Sequence, residues 1–455
     1  DYTEVTLTPR EGVTWSDGQK LTADDIAHTY QMRMDNADLD ITSLNITNVA
    51  MDNGKVVVSF KDPMYVRQSP VLHVRVLPKH YLETIANPAT DPMLEIIGTG
   101  PYTLTSFATQ GVVLDARDDW WGGNLAVPQL TFVSYDSNTD MAAALASGEV
   151  DWAQSYFADP QSSFISFDSA HNKQWTPTAL GIDVLFVNTT TAPFNSVAFR
   201  QAVNKVIDRE AHREIARQNA VPPLTSVTGL PSPAGDPFIS SEFQGTHFAV
   251  DLHGAQKILT DAGYTGVGSN LVDPDGNPVT FTLSVPQGWT DYIAGASLII
   301  RSVQALGVTA TIDVTSADEW ATNVANGTFD ATFHWTDTGA TPFDIYDNTM
   351  GGQWLRPIGL AAGYNFGRFD DTGSATLLQE YARTTSDTVR QRALTGIQET
   401  FVNQVPAMPV AARPFFISYN TRHYTGWPDD DNAYIVSDFT RPWMLMVLQH
   451  LRATR

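Results

Sequence analysis

The stretch Val279-Thr280-Phe281-Thr282-Leu283-Ser284-Val285-Pro286-Gln287-Gly288-Trp289-Thr290-Asp291-Tyr292 decides the fold class. Residues 279–285 alternate apolar and polar side chains as a strand does, and Pro286-Gln287-Gly288 breaks the run. Residues 292–306 then carry a helical pattern that stops at Gly307. The rhythm repeats as a strand over 308–314, a helix over 317–326 and a strand over 330–335. Strands alternating with helices predict an α/β sheet, in which ligands sit at the C-terminal strand ends. Trp289 and Trp335 both fall at such ends, within Trp289-Thr290-Asp291 and Trp335-Thr336-Asp337. An indole beside carboxylates or amides is the chemistry that grips a sugar ring. The apolar face stacks on the C–H side of the pyranose, and the polar groups take its hydroxyls.

Upstream of this core, residues 251–262 read as a helix and the Pro- and Gly-rich 221–237 as a linker. A charge-rich helix over 196–217 follows a strand at 184–188, and a helix spans 139–148. Residues 130–135 read as a buried strand, and 102–107 with 112–116 as a hairpin after the sharp break Gly98-Thr99-Gly100-Pro101. The N-terminal part reads as a strand at 5–8, a helix from Ile26 capped by Thr22-Ala23-Asp24-Asp25, a strand pair turning at Asp52-Asn53-Gly54, and a short helix over 78–86. Downstream, a helix over 384–403 leads to 410–419 and 443–451. No repeat of roughly 20 to 50 residues is present, which excludes a solenoid or propeller.

The 455 residues suffice for about two to three domains. With 27 basic against 50 acidic side chains, the formal net charge of −23 repels nucleic acid and anionic membrane, so neither partner is expected. There is no cysteine, hence no disulfide, thiolate chemistry or Cys-based zinc site. No run approaches the roughly 18 apolar residues of a membrane span. The sequence starts without Met inside a strand-like run at Asp1-Tyr2-Thr3-Glu4, so a preceding segment with any targeting signal is expected. Its basic set, rich in Arg and poor in Lys, hints at a high-GC bacterium.

Enzyme signatures are absent: there is no Gly-x-Ser-x-Gly elbow, no His-Glu-x-x-His and no phosphate-cradling Gly-x-x-x-x-Gly-Lys. A catalytic role and a cofactor are therefore not expected. Asp273-Pro274-Asp275-Gly276-Asn277 resembles the start of a calcium loop, but Ser284 stands where a bidentate Glu is needed, so a turn is the better reading. His247 and His253 flank a helix start and carry no metal-ligand pattern, and no metal is expected. Trp15, Trp120, Trp121 and Trp443 sit in packing contexts. For Trp152, Trp289, Trp335 and Trp354, each near an element end beside Asp, Gln or Thr, packing and ligand contact stand as equal alternatives.

A series of blocks runs through the chain. It opens with Arg10-Glu11-Gly12-Val13-Thr14-Trp15-Ser16-Asp17-Gly18 and Leu21-Thr22-Ala23-Asp24-Asp25, then Gly98-Thr99-Gly100-Pro101-Tyr102, Asp119-Trp120-Trp121-Gly122 and residues 143–151. It continues with Asn188, Pro193-Phe194, Arg200-Gln201-Ala202-Val203, Lys257-Ile258-Leu259 and Ala262-Gly263-Tyr264. In this order the blocks resemble the substrate-binding proteins of bacterial ABC importers, a family that binds peptides, nickel complexes and oligosaccharides. The resemblance covers nearly the whole chain.

The resemblance implies an α/β, two-lobed periplasmic-binding-protein clamp with mixed sheets, its large lobe carrying an extra small domain. Residues 1–97 would form that small domain, N-terminally truncated; 98–221 the core of lobe I; 222–413 lobe II; and 414–455 the return to lobe I. Hinge crossings would lie near Val221 and Arg413. It further implies a monomeric extracytoplasmic protein, periplasmic or lipid-anchored, that hands its ligand to a membrane permease. Residues 288–292 and 148–154, Tyr424-Thr425-Gly426-Trp427-Pro428 running on to Asn432-Ala433-Tyr434, and Thr341-Pro342 followed by Tyr346 are similar to the oligosaccharide-binding branch. On that basis the expected ligand is a short, plant β-glycan-derived oligosaccharide such as a cello-, xylo- or manno-oligosaccharide. Trp289, Trp335 and Trp354 would be stacking platforms; Asp291, Asp337 and Gln154 would take hydroxyls; Trp152 and Tyr156 would close the cleft from the other lobe. The alternative is an oligopeptide-binding protein, with Asp337 pairing the ligand's amino terminus; Thr341, where peptide binders usually carry an acidic residue before the Pro, weighs against it.

Overall fold

Strands β1 (Glu4–Leu7), β2 (Ile46–Asp52) and β3 (Lys55–Phe60) form an antiparallel sheet of order β1-β3-β2 in the computed structural model. The structure describes every residue except 1, 37, 38, 41, 43, 89, 92–94, 110 and 455. Helix Ala23–Asp35 covers this sheet, setting Ile26 and Tyr30 against Val56, Val58 and Phe60. The Asp25 carboxylate starts the helix by accepting the Thr22 amide at 2.8 Å. A second antiparallel sheet, ordered β4-β5-β6, contains β4 (Tyr102–Ala108), β5 (Gly111–Ala116) and β6 (Gln129–Val133). The 130–135 run reads as buried from its apolar residues, yet β6 alternates between half-buried and exposed. It is an edge strand of an antiparallel sheet with one open face. Arg117 ties the region together, donating to the carbonyls of Gly100 and Trp15 at 3.2 and 3.1 Å. These elements belong to a compact unit of Asp1–Tyr135, Ala382–Thr385 and Thr421–Arg455.

The other unit, Asp136–Tyr381 with Ser386–Asn420, holds two sheets. The smaller has the order β7-β14-β8, from β7 (Trp152–Ala153), β8 (Asn172–Trp175) and β14 (Ile417–Asn420). The larger has the order β11-β10-β12-β9-β13, from β9 (Ile182–Val187), β10 (Thr280–Pro286), β11 (Thr309–Thr315), β12 (Ala331–Trp335) and β13 (Ala407–Ala412). β10 pairs parallel with β11 and β12, as the strand–helix rhythm predicts, while β9 runs antiparallel to β12 and β13. The sheet is therefore mixed.

The chain passes from the smaller sheet to the larger at residues 176–181 and back at 413–416, between consecutive strands each time. The two passages run side by side: the Arg413 amide donates to the Gly181 carbonyl at 3.0 Å, and the Phe415 amide to that of Pro177 at 3.1 Å. Residues 182–221, read from sequence with the first lobe's core, contribute β9 to the larger sheet. All six residues of β9 are buried, which suits an interior strand. The Pro- and Gly-rich 221–237 run stays within the same unit, with Leu224 and Leu230 buried. The helix read over 196–217 is interrupted after Val197–Val206, because the Asp208 carboxylate accepts the Ala211 amide at 2.9 Å and caps a new turn. That turn continues into a π-helical one, His212–Ala216.

Candidate functional site

The site begins where β10 ends. Gly288 takes φ +80°, and a Cβ there would lie 2.4 Å from the Asp136 carbonyl oxygen, so only glycine fits this turn. Trp289 then stands at the N-cap of helix Thr290–Gln304. Asn138, in the first turn of helix Asn138–Ser147, fixes the loop from the other side. Its Oδ1 accepts from Thr290 Oγ1 at 3.1 Å, and its Nδ2 donates to Asp291 Oδ1 at 3.4 Å.

From Trp289 an aromatic chain runs across the ends of the parallel strands. Its ring stacks with that of Trp335, the last residue of β12, at 6.2 Å and 23° between planes. His334 stacks on Trp335 at 4.0 Å, Phe366 lies 4.6 Å from His334, and Tyr364 lies 5.5 Å from Phe366. Trp354 meets Tyr364 edge-on at 5.7 Å. Buried Trp320 supports Trp289 at 5.2 Å and is held by its Nε1 donating to Thr332 Oγ1 at 2.9 Å. The three tryptophans read as platforms thus share one connected aromatic surface, with Trp289, Trp335 and Trp354 each half-buried.

A charged layer lies against this surface. Asp183, 1 % exposed at the second position of β9, would be costly to bury alone. Arg217 donates to both Asp183 and Asp291, and Arg413 Nη1 donates to Asp183 Oδ1 at 2.8 Å. The two arginines and two aspartates balance to zero charge. Burial works against the Arg217 charge, but Asp183 and Asp291 outweigh it and hold the guanidinium protonated. Burial pushes the Asp291 carboxyl above the usual range while Arg217 pulls it back. Arg413 also lies 4.7 Å over the Trp335 ring, a cation–π contact.

The other residues read from sequence fall as follows. Asp291 is 6 % exposed, with both oxygens engaged by Asn138 and Arg217, so it stands beneath the surface rather than on it. Tyr156 is buried, donates its hydroxyl to the Ala216 carbonyl at 3.1 Å and lies 5.3 Å under Arg217. Burial raises its pKa to about 12. Trp152, on edge strand β7, and Gln154 just after it are half-buried and carried by the smaller sheet. Asp337 is half-buried, its backbone amide donating to Asn348 Oδ1 at 2.6 Å. Asp347 orients Trp354, its Oδ2 accepting the indole N–H at 2.7 Å. Sequence reading missed Asn138, Asp183, Arg217, Trp320, His334, Asp347 and Tyr364, and it named Arg413 as a hinge crossing without a place at the site. A signal existed for Trp320, which shares with Val324 the buried face of an amphipathic helix. Asp273 accepts the amides of Asp275 and Asn277 at 3.0 and 2.8 Å, an Asx-turn. Among the described residues no group of His, Asp and Glu is placed to hold a metal ion, and no helix is long and apolar enough to cross a membrane.

The family model of bacterial extracellular solute-binding proteins, family 5 Middle, matches residues 1–354. Protein XP55 of Streptomyces lividans is 28 % identical over 295 residues, covering 63 % of this chain and 52 % of its own length. The nickel-binding periplasmic protein of Escherichia coli is 23 % identical over 292 residues, 61 % of this chain and 54 % of its own. The chain spans about half the length of these curated relatives. Among solved structures, the mannohexaose-bound periplasmic oligopeptide-binding protein of Thermotoga maritima superposes with a TM-score of 0.89 at 22 % identity, over 100 % of this chain and 88 % of that one. The oligopeptide-binding protein AppA of Bacillus subtilis, in complex with a nonapeptide, gives 0.81 at 18 %, over 100 % and 88 %. The fold is therefore the two-lobed periplasmic-binding-protein fold with mixed sheets. With the family model matching residues 1–354 of 455, the chain belongs to the family 5 bacterial extracellular solute-binding proteins.

Proposed function

We propose that this protein captures short oligosaccharides outside the cytoplasm and delivers them to the membrane permease of an ABC importer, acting as a monomeric clamp without catalysis. The observation that carries this reading is the connected aromatic surface from Trp289 through Trp335 to Trp354 at the C-terminal ends of β10 and β12. Indoles at the two ends of one aromatic surface suit the rings of an oligosaccharide, and the charges nearby are already balanced against one another, which favours a neutral ligand. Asp337 and Gln154 would take hydroxyls, and Trp152 would approach from the smaller sheet. Tyr156 and Asp291 would hold Arg217 and the Trp289 loop beneath them. The paired passages at 176–181 and 413–416 would serve as the hinge, and ligand would stabilise closure by touching both sheets. The likeness to a mannohexaose-bound structure supports the sugar reading.

The second reading is an oligopeptide ligand, favoured by the likeness to the nonapeptide-bound protein and by Asp337, a carboxylate that could meet an amino terminus. Calorimetry of the protein against cello-, xylo- and manno-oligosaccharides, with di- and tripeptides in parallel, separates the two. Heat of binding from an oligosaccharide, with a matching change in tryptophan fluorescence, is the expected result. Binding of peptides alone, dependent on a free amino terminus, would overturn it.

A further inference from the structure

We propose that Arg413 is a specificity residue of this site, donating the free edge of its guanidinium to two adjacent hydroxyls of the bound sugar. This rests on the oligosaccharide reading. Arg413 sits in the second passage between the sheets, where its amide bond to the Gly181 carbonyl fixes the backbone. Its side chain is fixed twice more: Nη1 donates to Asp183 Oδ1 at 2.8 Å, and the guanidinium carbon lies 4.7 Å over Trp335. One edge of the planar group is thereby used. Nε and Nη2, which point the same way along the opposite edge, make no hydrogen bond among the described residues. Neither is a buried orphan, and the side chain remains 31 % exposed. A rigid pair of parallel donors therefore faces solvent at the rim of the aromatic surface.

Charge decides what such an edge would take. Arg217 and Arg413 already face Asp183 and Asp291, so a carboxylate ligand would add an uncompensated negative charge to a neutral cluster. Two neutral oxygens at the spacing of adjacent ring hydroxyls match the fork without that cost. Because Arg413 lies over Trp335, that indole supports the arginine, and ring stacking falls chiefly to Trp289 and Trp354. Ligand held by Arg413 is also tied directly to the passage between the sheets.

The test uses R413K and R413A, titrated calorimetrically with mannohexaose, cellohexaose and a uronic-acid-containing oligosaccharide. Lysine keeps the charge but lacks the fork, and in R413A the Asp183 carboxylate keeps Arg217. The expected result is a loss of about 10- to 100-fold in affinity for the neutral sugar in both variants, with R413K melting as wild type does. Guanidinium chloride at sub-denaturing concentration restores part of the affinity of R413A, and the uronate binds wild type no better than the neutral sugar. Unchanged affinity in both variants overturns the proposal, as does a loss that follows a lowered melting temperature and is not rescued by guanidinium. Preference for the uronate overturns the hydroxyl assignment. Wild type that binds peptides and no oligosaccharide overturns the sugar reading itself, a result visible before any variant is made.

Discussion

Asn138 Oδ1 lies 3.1 Å from Thr290 Oγ1, so one side-chain amide joins the helix beside the smaller sheet to the loop that carries Trp289. The same amide donates to Asp291. On the clamp reading these bonds exist only in the closed arrangement, and they add to whatever the ligand contributes to closure. N138A is expected to weaken ligand binding by about fivefold, the value of roughly one hydrogen bond. N138D is expected to cost more, because a carboxylate would face the Asp291 carboxylate. Calorimetry on both variants checks the order, and equal affinity in wild type and N138D would remove the latch.

Gly288 permits a sharper test of the same loop. Alanine there must adopt a positive φ and place its Cβ against the Asp136 carbonyl, which cannot yield as a flexible side chain does. G288A is expected to lose about 1–3 kcal/mol of stability and to shift the Trp289 emission as the loop moves. Urea denaturation read by fluorescence measures both. A variant as stable as wild type, with an unchanged spectrum, would contradict the close approach.

Among the described residues, Arg217 alone donates to both Asp183 and Asp291. R217M preserves much of the volume but takes the cationic partner from buried Asp291 and leaves Arg413 alone to offset two carboxylates, and about 3–5 kcal/mol of destabilisation is expected. Restoring neutrality with R217M/D291N in one chain should recover part of that loss. Denaturant midpoints of the single and double variants give the comparison; no recovery in the double variant would argue that Arg217 acts by packing alone.

The strand–helix core was legible because its signals are local. Alternation over 279–285 and the stop at Gly307, which takes φ +89°, act within a few residues. The smaller sheet was not legible: β7 is two residues long, and β8 reads Asn172-Lys173-Gln174-Trp175, with no apolar period. Trp289 and Trp335 could be placed at strand ends from pattern, and they meet there. Asp183, Arg217 and Arg413 could not, because their pairings join positions 34, 74 and 230 residues apart in sequence. Asp291 carried a usable signal that the Trp-Thr-Asp motif obscured. It shares the buried face of its helix with Gly295 and Ile299, at four-residue spacing, so its carboxylate points inward.

Buried His212 and half-buried His334 make the stability depend on pH with a definite sign. Burial, with the nearby Arg217 charge, lowers the His212 pKa to about 3; burial lowers that of His334 to about 4, opposed by its bond to the Trp335 carbonyl and aided by Arg413, with Asp183 acting to raise both. Folded, both rings stay neutral, whereas in the unfolded chain they take up protons near the usual 6.5. The unfolded state therefore binds more protons below that value, and stability falls with pH from about 6.5 toward the folded pKa values. By pH 5 each histidine removes on the order of 2 kcal/mol, before most carboxylates titrate. Urea denaturation at intervals between pH 7.5 and 5 should show this decline. H334F keeps an aromatic ring between Trp335 and Phe366 but cannot take a proton, so its curve should be flatter by about half. An H334F slope identical to that of wild type would mean that His334 takes up its proton as readily in the folded protein as in the unfolded chain, and the neutral stack on Trp335 below pH 6.5 would have to be abandoned.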